Sequence, residues 1–355
     1  MPDTMDVWAL VEHEKPLEKI QQPIPEPKGK EVLIKVTHCG VCHSDIHFWE
    51  GFYDLGGGRR LNIKDRGVKL PVAMGHEILG DIVKAGPDAG EQPAGARRAV
   101  YPWLGCGSCR RCAREEDNMC TAQKSLGIVQ NGGYAEYVLV PDSRYLVDPG
   151  DVDPAVACTF GCSGITTLNA ISKLMPLDPE EHVVLVGAGG LGLAAISILK
   201  AYGHEKIISV DIGDDKLEAA RKAGATAVVN STGADPAKEI MTAAGGPVLA
   251  VIDFVNISKT ATMIQNILGK GAKWVQVGIM GGSVEVSLAG MVFKNTTMMG
   301  NITGDPKHLR EVARLGREQK LPPLPVTKMP WDEVNKALTL LREGKVTGRL
   351  VLVRE

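Results

Sequence analysis

The run Val183-Val184-Leu185-Val186 leads straight into Gly187-Ala188-Gly189-Gly190-Leu191-Gly192, and a helix-like stretch, Leu191 to Tyr202, follows at once. A G-x-G-x-x-G loop alone fits many tight surface turns. Placed between an apolar strand and a helix, it is what a dinucleotide site requires. Glycines at 187, 189 and 192 allow a tight turn, close approach of backbone to a pyrophosphate, and close packing of helix on strand. The backbone of Gly190 and Leu191 lies in the first helical turn, where unpaired N–H groups and the positive dipole end face phosphate. About 20 residues further on, Asp211 ends the strand-like Ile207-Ile208-Ser209-Val210. A carboxylate there accepts hydrogen bonds from an adenosine ribose and repels a 2′-phosphate, which favours NAD over NADP.

The alternation continues through the helix-like Asp215 to Ala223 and the strand candidates Val228-Val229, Val248 to Phe254 and Lys273 to Val277. Strand–helix alternation predicts a doubly wound parallel sheet. The pattern fades near residue 300. The first third differs: short β-like runs (Val32 to Thr37, Ile78 to Val83, Tyr137 to Val140) are split by Pro and Gly, which predicts a β-rich, barrel-like module. Gln21 to Pro27 reads as an extended loop. The helix-like Trp331 to Glu343 and the strand-like Arg349 to Val353 are expected to return to the first module. The fold class is therefore α/β plus β, divided as 1–163, 164–299 and 300–355.

Composition narrows the function. With 355 residues the chain has room for two domains. A net charge of −2 gives no basic footprint for nucleic acid. The most apolar uncharged run, Val183 to Leu199, is too short and too broken by glycine for a membrane span. Met1 to Leu10 carries Asp3 and Asp6 and lacks the layout of a secretory signal. A cytoplasmic protein is expected, with no nucleic-acid or membrane partner.

Eight cysteines then need a reason. Cys106-x2-Cys109-x2-Cys112-x7-Cys120 gathers four thiols in one loop, about 105–121, and tetrahedral zinc accepts four thiolates with no open position. An iron–sulfur cluster is the competitor, although the late fourth cysteine and the lack of a following proline depart from the ferredoxin run. Four free buried thiols is the bland alternative. Cys42-His43-Ser44-Asp45-Ile46-His47 and Gly75-His76-Glu77 are each suggestive of chemistry, but spacing alone does not join them to Cys162.

Taken together and in this order, with Gly132-Gly133-Tyr134-Ala135-Glu136-Tyr137 and Cys162-Ser163-Gly164-Ile165-Thr166, these segments resemble the zinc-dependent medium-chain alcohol dehydrogenases. The resemblance covers nearly the whole chain and points to the bacterial subgroup of 6-hydroxyhexanoate and aryl or secondary alcohol dehydrogenases. It implies a GroES-like catalytic domain beside a Rossmann domain, NAD, and two zinc ions per chain. Cys42, His76 and Cys162 would hold the catalytic zinc, and a cysteine at 162, where polyol dehydrogenases often place Glu, favours the alcohol subclass. Asp45 would bond the ligand histidine. Glu77 would sit behind the metal, as a transient ligand or a charge partner. Ser44 would take the alcohol proton and His47 would pass it on. His43 and Arg349 would lie near the pyrophosphate, Lys216 near the adenosine ribose and Thr166 beside the nicotinamide. Cys39 and Cys158 are left as packing residues.

The implied reaction is reversible hydride transfer between a small alcohol and NAD, giving an aldehyde or ketone. The short segment after Cys120 favours a homotetramer over a dimer by the same resemblance. The long loop Asp54 to Lys69 either edges the substrate cleft, with Arg59 or Arg60 attracting a distal carboxylate, or is a solvated insertion. Trp49 and Trp103 are pocket walls or core. Two readings from other classes compete: a non-catalytic dinucleotide-binding protein, and an interaction module built on the four-cysteine loop.

Overall fold

In the computed structural model, which describes residues 3–354, two sheets carry the chain. The first is organised by β1 (Val32–Val41), whose Val32, Leu33, Ile34, Val36, Cys39 and Val41 are buried. It runs four residues beyond the expected end at Thr37, because Cys39 to Val41 lie between two partners. Glu77–Ala85 pairs antiparallel on one side and the C-terminal strand Arg349–Val353 on the other. The register sets Gly40 opposite Glu77 and Val41 opposite Leu350. Cys42, Glu77 and Arg349 therefore converge at one end of this sheet. The C-terminal strand thus returns to the first module, accompanied by the parallel strand Val326–Pro330 and the helix Val334–Arg342.

Part of the expected N-terminal loop is instead strand. Glu18–Pro23 pairs antiparallel with Thr4–Leu10. Pro23 is its last residue, on a sheet edge, where the missing N–H costs no ladder bond.

Immediately after Cys42 comes α1 (His43–Glu50), and immediately after Cys162 comes α2 (Ser163–Leu174). The second sheet has six strands, all parallel, in the order Ala227–Asn230, β3 (Ile207–Asp211), β2 (Val183–Val186), Val248–Asp253, Leu268–Gln276, β4 (Thr297–Gly300). All four residues of β2 are buried, as expected of a central strand covered on both faces. The strand order reverses at β2, so the glycine loop leading into α3 (Gly190–Ala201) opens at the switch point, where open α/β sheets bind ligands.

No single helix among the described residues is long and apolar enough to cross a membrane. The pair Pro154–Gly161 and α2 passes by length and composition only, and it bends by 58° at Cys162. Most of α2 is buried in the core.

The expected long loop is a hairpin, Phe52–Asp54 paired with Arg60–Asn62. Its turn is docked on the other domain: a Cβ built on Gly56 would lie 2.1 Å from the carbonyl oxygen of Gly282. Around that contact the turn is open: Leu55 and Gly57 to Leu61 are exposed.

Candidate active site

Local chemistry aims each side chain of the deep cluster. Cys42 is the N-cap of α1 and donates its backbone N–H to Asp45 Oδ2 at 2.9 Å, while Gly51 ends the helix in the left-handed region. Such a cap satisfies the helix end and fixes how the chain enters it. His76 follows Gly75, whose φ is +85°; a Cβ there would sit 2.5 Å from the Tyr134 ring, so only glycine lets the chain turn here. The Tyr134 hydroxyl donates to Asp45 Oδ2 at 3.2 Å, and Asp45 Oδ1 lies 3.2 Å from His76 Nδ1. With Nδ1 engaged, His76 Nε2 is buried with no partner among the described residues. Cys42, His76 and Cys162 are all buried, and their ligand atoms lie within 4.8 Å of one another. Two thiols and an orphaned imidazole nitrogen fit zinc with a fourth position left open, and Asp45 sets the tautomer that a metal ligand needs.

Behind this cluster, Glu77 is fully buried. Its Oε1 accepts the Ser163 backbone N–H at 3.1 Å and its Oε2 pairs with the Arg349 guanidinium. Burial pushes the Glu77 carboxyl up, and the Arg349 charge opposes it. The charge-partner alternative for Glu77 is the arrangement seen here. Arg349 also passes against the first turn of α3, since a Cβ on Gly190 would lie 2.5 Å from its Cδ. It therefore touches both the metal cluster's backing and the glycine loop.

On α1, His43 is exposed, Ser44 half-buried and His47 buried. The His47 ring stands 5.4 Å from Tyr53 and 6.4 Å from His43, and its Nε2 is also without a partner among the described residues. Burial, with help from His43, lowers the His47 pKa, so the ring is neutral at neutral pH.

The glycine loop is built as its spacing predicts. A Cβ on Gly192 would collide with the Gly187 carbonyl at 1.9 Å, whereas one on Gly189 would meet nothing within 4 Å. The first contact is the close helix–strand packing; the second leaves room for a phosphate against bare backbone. Asp211 Oδ2 accepts from Ala188 N at 2.7 Å, and Oδ1 accepts from Ile212 N at 2.8 Å and Gly213 N at 3.0 Å. These bonds hold the carboxylate at the end of β3 beside the loop. Lys216 is half-buried in the first turn of the next helix, Asp214–Ala223. Thr166, one turn beyond Cys162, has a buried hydroxyl with no partner among the described residues.

In the four-cysteine loop, Sγ–Sγ separations are 3.5 Å (Cys109–Cys112), 3.8 Å (Cys109–Cys120) and 4.0 Å (Cys106–Cys112). All are far beyond a disulfide bond of about 2.05 Å. A tetrahedron with metal–sulfur bonds of about 2.3 Å has edges of about 3.8 Å. The set therefore fits one tetrahedral ion, whereas a multi-iron cluster between the thiolates would spread them further.

Comparison with known proteins decides the family. Residues 28–149 match the alcohol dehydrogenase GroES-like domain, and residues 190–318 the zinc-binding dehydrogenase domain. An NAD-dependent alcohol dehydrogenase of Sulfurisphaera tokodaii is 39% identical over 351 residues, covering 98% of this chain and 100% of that one. One of Saccharolobus solfataricus is 39% identical over 352 residues, with the same coverage. The chain belongs to the zinc-binding alcohol dehydrogenase family. Among solved structures, the alcohol dehydrogenase of Aeropyrum pernix superposes with a TM-score of 0.89 at 27% identity, covering 98% of this chain and 100% of that one. The D-arabinose dehydrogenase of Sulfolobus solfataricus gives 0.82 at 27% identity, covering 99% of each chain.

Within this dehydrogenase the two tryptophans separate. The Trp103 ring lies 5.3 Å from that of His76 and its indole N–H donates to Gly161 O at 3.1 Å, so it packs beside the Cys42–His76–Cys162 cluster. Trp49 is partly buried against the core, donating to Lys15 O at 2.6 Å with the Arg342 guanidinium 4.9 Å over its ring. Arg59 is exposed, and the Arg60 guanidinium sits 3.9 Å over the Phe52 ring. Sequence reasoning passed over Tyr134, which braces Asp45, and the polar run Asn301 to Thr303 directly after β4. Both Asn301 Oδ1 and Thr303 Oγ1 are buried without partners among the described residues. A polar cluster following the last parallel strand was the available signal, since ligands collect at strand C-terminal ends.

Proposed function

We propose that the protein is an NAD- and zinc-dependent alcohol dehydrogenase acting on a small primary or secondary alcohol, aryl alcohols and ω-hydroxy acids included, and reducing the matching aldehyde or ketone in reverse. One observation carries this reading: two thiols and an unpartnered imidazole nitrogen, distant in sequence, meet in one buried cluster, and Arg349 links the Glu77 that backs it to the glycine loop. Zinc would be held by Cys42, His76 and Cys162, with a second ion held by Cys106, Cys109, Cys112 and Cys120. Bound in these places, the metal would supply Lewis acidity toward the substrate oxygen and NAD would supply a hydride acceptor.

The chain's own residues do the rest. Ser44 accepts the alcohol proton and His47, neutral because it is buried, passes it outward. Asp45 holds His76 in orientation, and Glu77 with Arg349 balances charge behind the cluster. Gly187, Gly189, Gly190, Leu191 and Gly192 bind the pyrophosphate through backbone, with His43 and Arg349 near it. Asp211 and Lys216 bind the adenosine ribose, and Thr166 flanks the nicotinamide. Residues 1–163 and 300–355 would form the catalytic domain and 164–299 the cofactor domain.

Self-association fits the surface. The helix α4 (Leu288–Lys294) has no buried residue and exposes Leu288, Val292 and Phe293 beside β4, the edge strand of the parallel sheet. Unpaired edges and apolar patches are rarely left bare. A homo-oligomer, a tetramer before a dimer, is the assembly proposed, in a cytoplasmic setting. The test is a spectrophotometric NADH screen over primary, secondary, aryl and ω-hydroxy acid substrates on metal-replete protein, with zinc analysis and sedimentation. NAD-linked turnover with about two zinc ions per chain is expected. NADH binding without turnover on any substrate would leave a non-catalytic dinucleotide-binding protein.

A further inference from the structure

The irregular segment after β4 is held in an unusual way. It contains Thr303 at φ +41°, a left-handed conformation that a β-branched residue adopts only when its surroundings enforce it. Three of its carbonyls, and that of Gly300 at the end of β4, are each taken by a side-chain donor. Lys173 Nζ donates to Gly300 O at 2.8 Å, Asn118 Nδ2 to Ile302 O at 3.0 Å, Asn169 Nδ2 to Thr303 O at 2.6 Å and the Tyr101 hydroxyl to Gly304 O at 2.8 Å. Asn301 Nδ2 donates in turn to Thr166 O at 3.1 Å, in the first turn of the helix that begins after Cys162. The segment is thus fixed at the C-terminal end of a parallel strand and tied to α2, the helix that begins directly after Cys162. That is the reactive end of the cofactor groove. Its orphaned Asn301 Oδ1 and Thr303 Oγ1 lie in this wall.

One of these donors belongs to the four-cysteine lobe. Asn118 is buried, in the short turn Asp117–Met119 between the third and fourth cysteines. The neighbouring Asp117 accepts from the Arg144 guanidinium at 2.6 Å and the Tyr145 hydroxyl at 2.8 Å, which tie the turn to a second segment. The lobe also grips α5 (Pro306–Arg317), the helix that follows the wall: Lys307 Nζ donates to Arg114 O at 2.8 Å and Arg310 pairs with Glu115 at 2.7 Å.

We infer that the four-cysteine lobe positions the nicotinamide end of the cofactor groove, and that Asn118 is the residue through which it acts. This rests on the reading of that groove as an NAD site. A closed metal site held by Cys106, Cys109, Cys112 and Cys120 would perform no chemistry, but it would stiffen the turn that carries Asn118, and a stiff donor keeps the wall in its strained form before cofactor arrives. Preorganisation of this kind appears as binding affinity, because less ordering remains to be done on association.

The experiment compares NADH with ADP-ribose, which lacks the nicotinamide, on wild type, Asn118→Leu and the milder Asn118→Ser. Zinc content is checked for each, and hydrogen exchange is followed on the peptide 297–305 without cofactor. Loss of one buried neutral hydrogen bond predicts a roughly three- to tenfold weaker NADH Kd, with ADP-ribose unchanged within about twofold. Zinc is retained and exchange in 297–305 speeds up. Tyr101→Phe, which removes the bond to Gly304, should give the same selective loss. Equal weakening of both ligands, or no weakening of NADH, overturns the inference. Wild type that binds both ligands but turns over no alcohol would instead defeat the catalytic reading and leave the positioning result standing.

Discussion

The four-cysteine lobe draws all its thiols from residues 106–120, while the deep cluster draws its three ligands from the cap of α1, the turn before Glu77–Ala85 and the corner before α2. The first is assembled by local chain and, once closed, contributes folding energy of its own. The second is assembled by the fold: it exists only if the register of β1 against Glu77–Ala85 and Arg349–Val353 is right. The lobe offers four thiols, enough to close around a tetrahedral ion; the deep cluster offers three groups, which would leave a fourth position for substrate. Ligand count separates a site that stabilises from one that reacts.

The largest expected effect comes from breaking the open site. Cys42→Ala should lower turnover by about a thousandfold or more, since Lewis-acid activation is lost. Zinc content should fall from about two to about one per chain, and NADH should still bind, because the glycine loop and Asp211 are untouched. Near-normal turnover with one zinc would show that the deep cluster is not the reacting centre.

Breaking the closed site should do the opposite. Cys112→Ser leaves three thiols around a vacancy, and Tm should fall by about 5 °C or more as the lobe loosens. Turnover of the molecules that stay folded should drop far less than in Cys42→Ala. Calorimetry alongside an activity assay at a temperature well below Tm separates the two. If Cys112→Ser inactivates as completely as Cys42→Ala while Tm is unchanged, the division between structural and reactive metal is wrong.

The same contrast explains what could be read from the residues. The lobe was legible from spacing because its ligands are near neighbours in the chain, and the Rossmann half because period and glycine placement are local properties. The deep cluster was not legible from physics alone. Joining Cys42 to His76 and Cys162 needs a sheet register, which no local pattern records, so a family resemblance supplied it. The Glu77–Arg349 pair shows the limit well. Arg349 was expected near the pyrophosphate, and it does lie against Gly190; that it also pairs with Glu77, on a strand placed beside it by β1, is what no local pattern records. The wall at 301–304 escaped notice because it has no period, and its conformation is imposed by Asn118, Tyr101 and Asn169 from three separate segments. Gln21 to Pro23 misled for a simpler reason: proline at a strand end looks like a loop when its edge position is unknown.

A smaller effect tests the proton path beside the open site. Burial lowers the His47 pKa below its ordinary 6.5. A depressed pKa keeps the ring neutral, and able to accept a proton, until pH falls through that lowered value; only then should alcohol oxidation stall on its account. His47→Gln should reduce oxidation kcat by roughly tenfold or more at neutral pH, with NADH affinity unchanged, and should remove that acid limb from the kcat profile. An unchanged profile would mean that protons leave the deep cluster by another route.

The smallest effect concerns the hairpin that spans the two domains. Its turn is held by the Gly56–Gly282 contact, and Arg59 and Arg60 lie at the start of its second strand. Arg60 is occupied by the Phe52 ring, and Arg59 is exposed to solvent. If the hairpin selects substrates with a distal carboxylate, the attraction is one between solvated charges, which is weak and screened by salt. Arg59→Ala should then lower kcat/KM for 6-hydroxyhexanoate relative to hexan-1-ol by only about two- to fivefold, Arg60→Ala by less, and added salt should erase the difference. A preference that survives both substitutions leaves the hairpin with its docking contact alone, and moves the choice of substrate inward to the walls around Trp103.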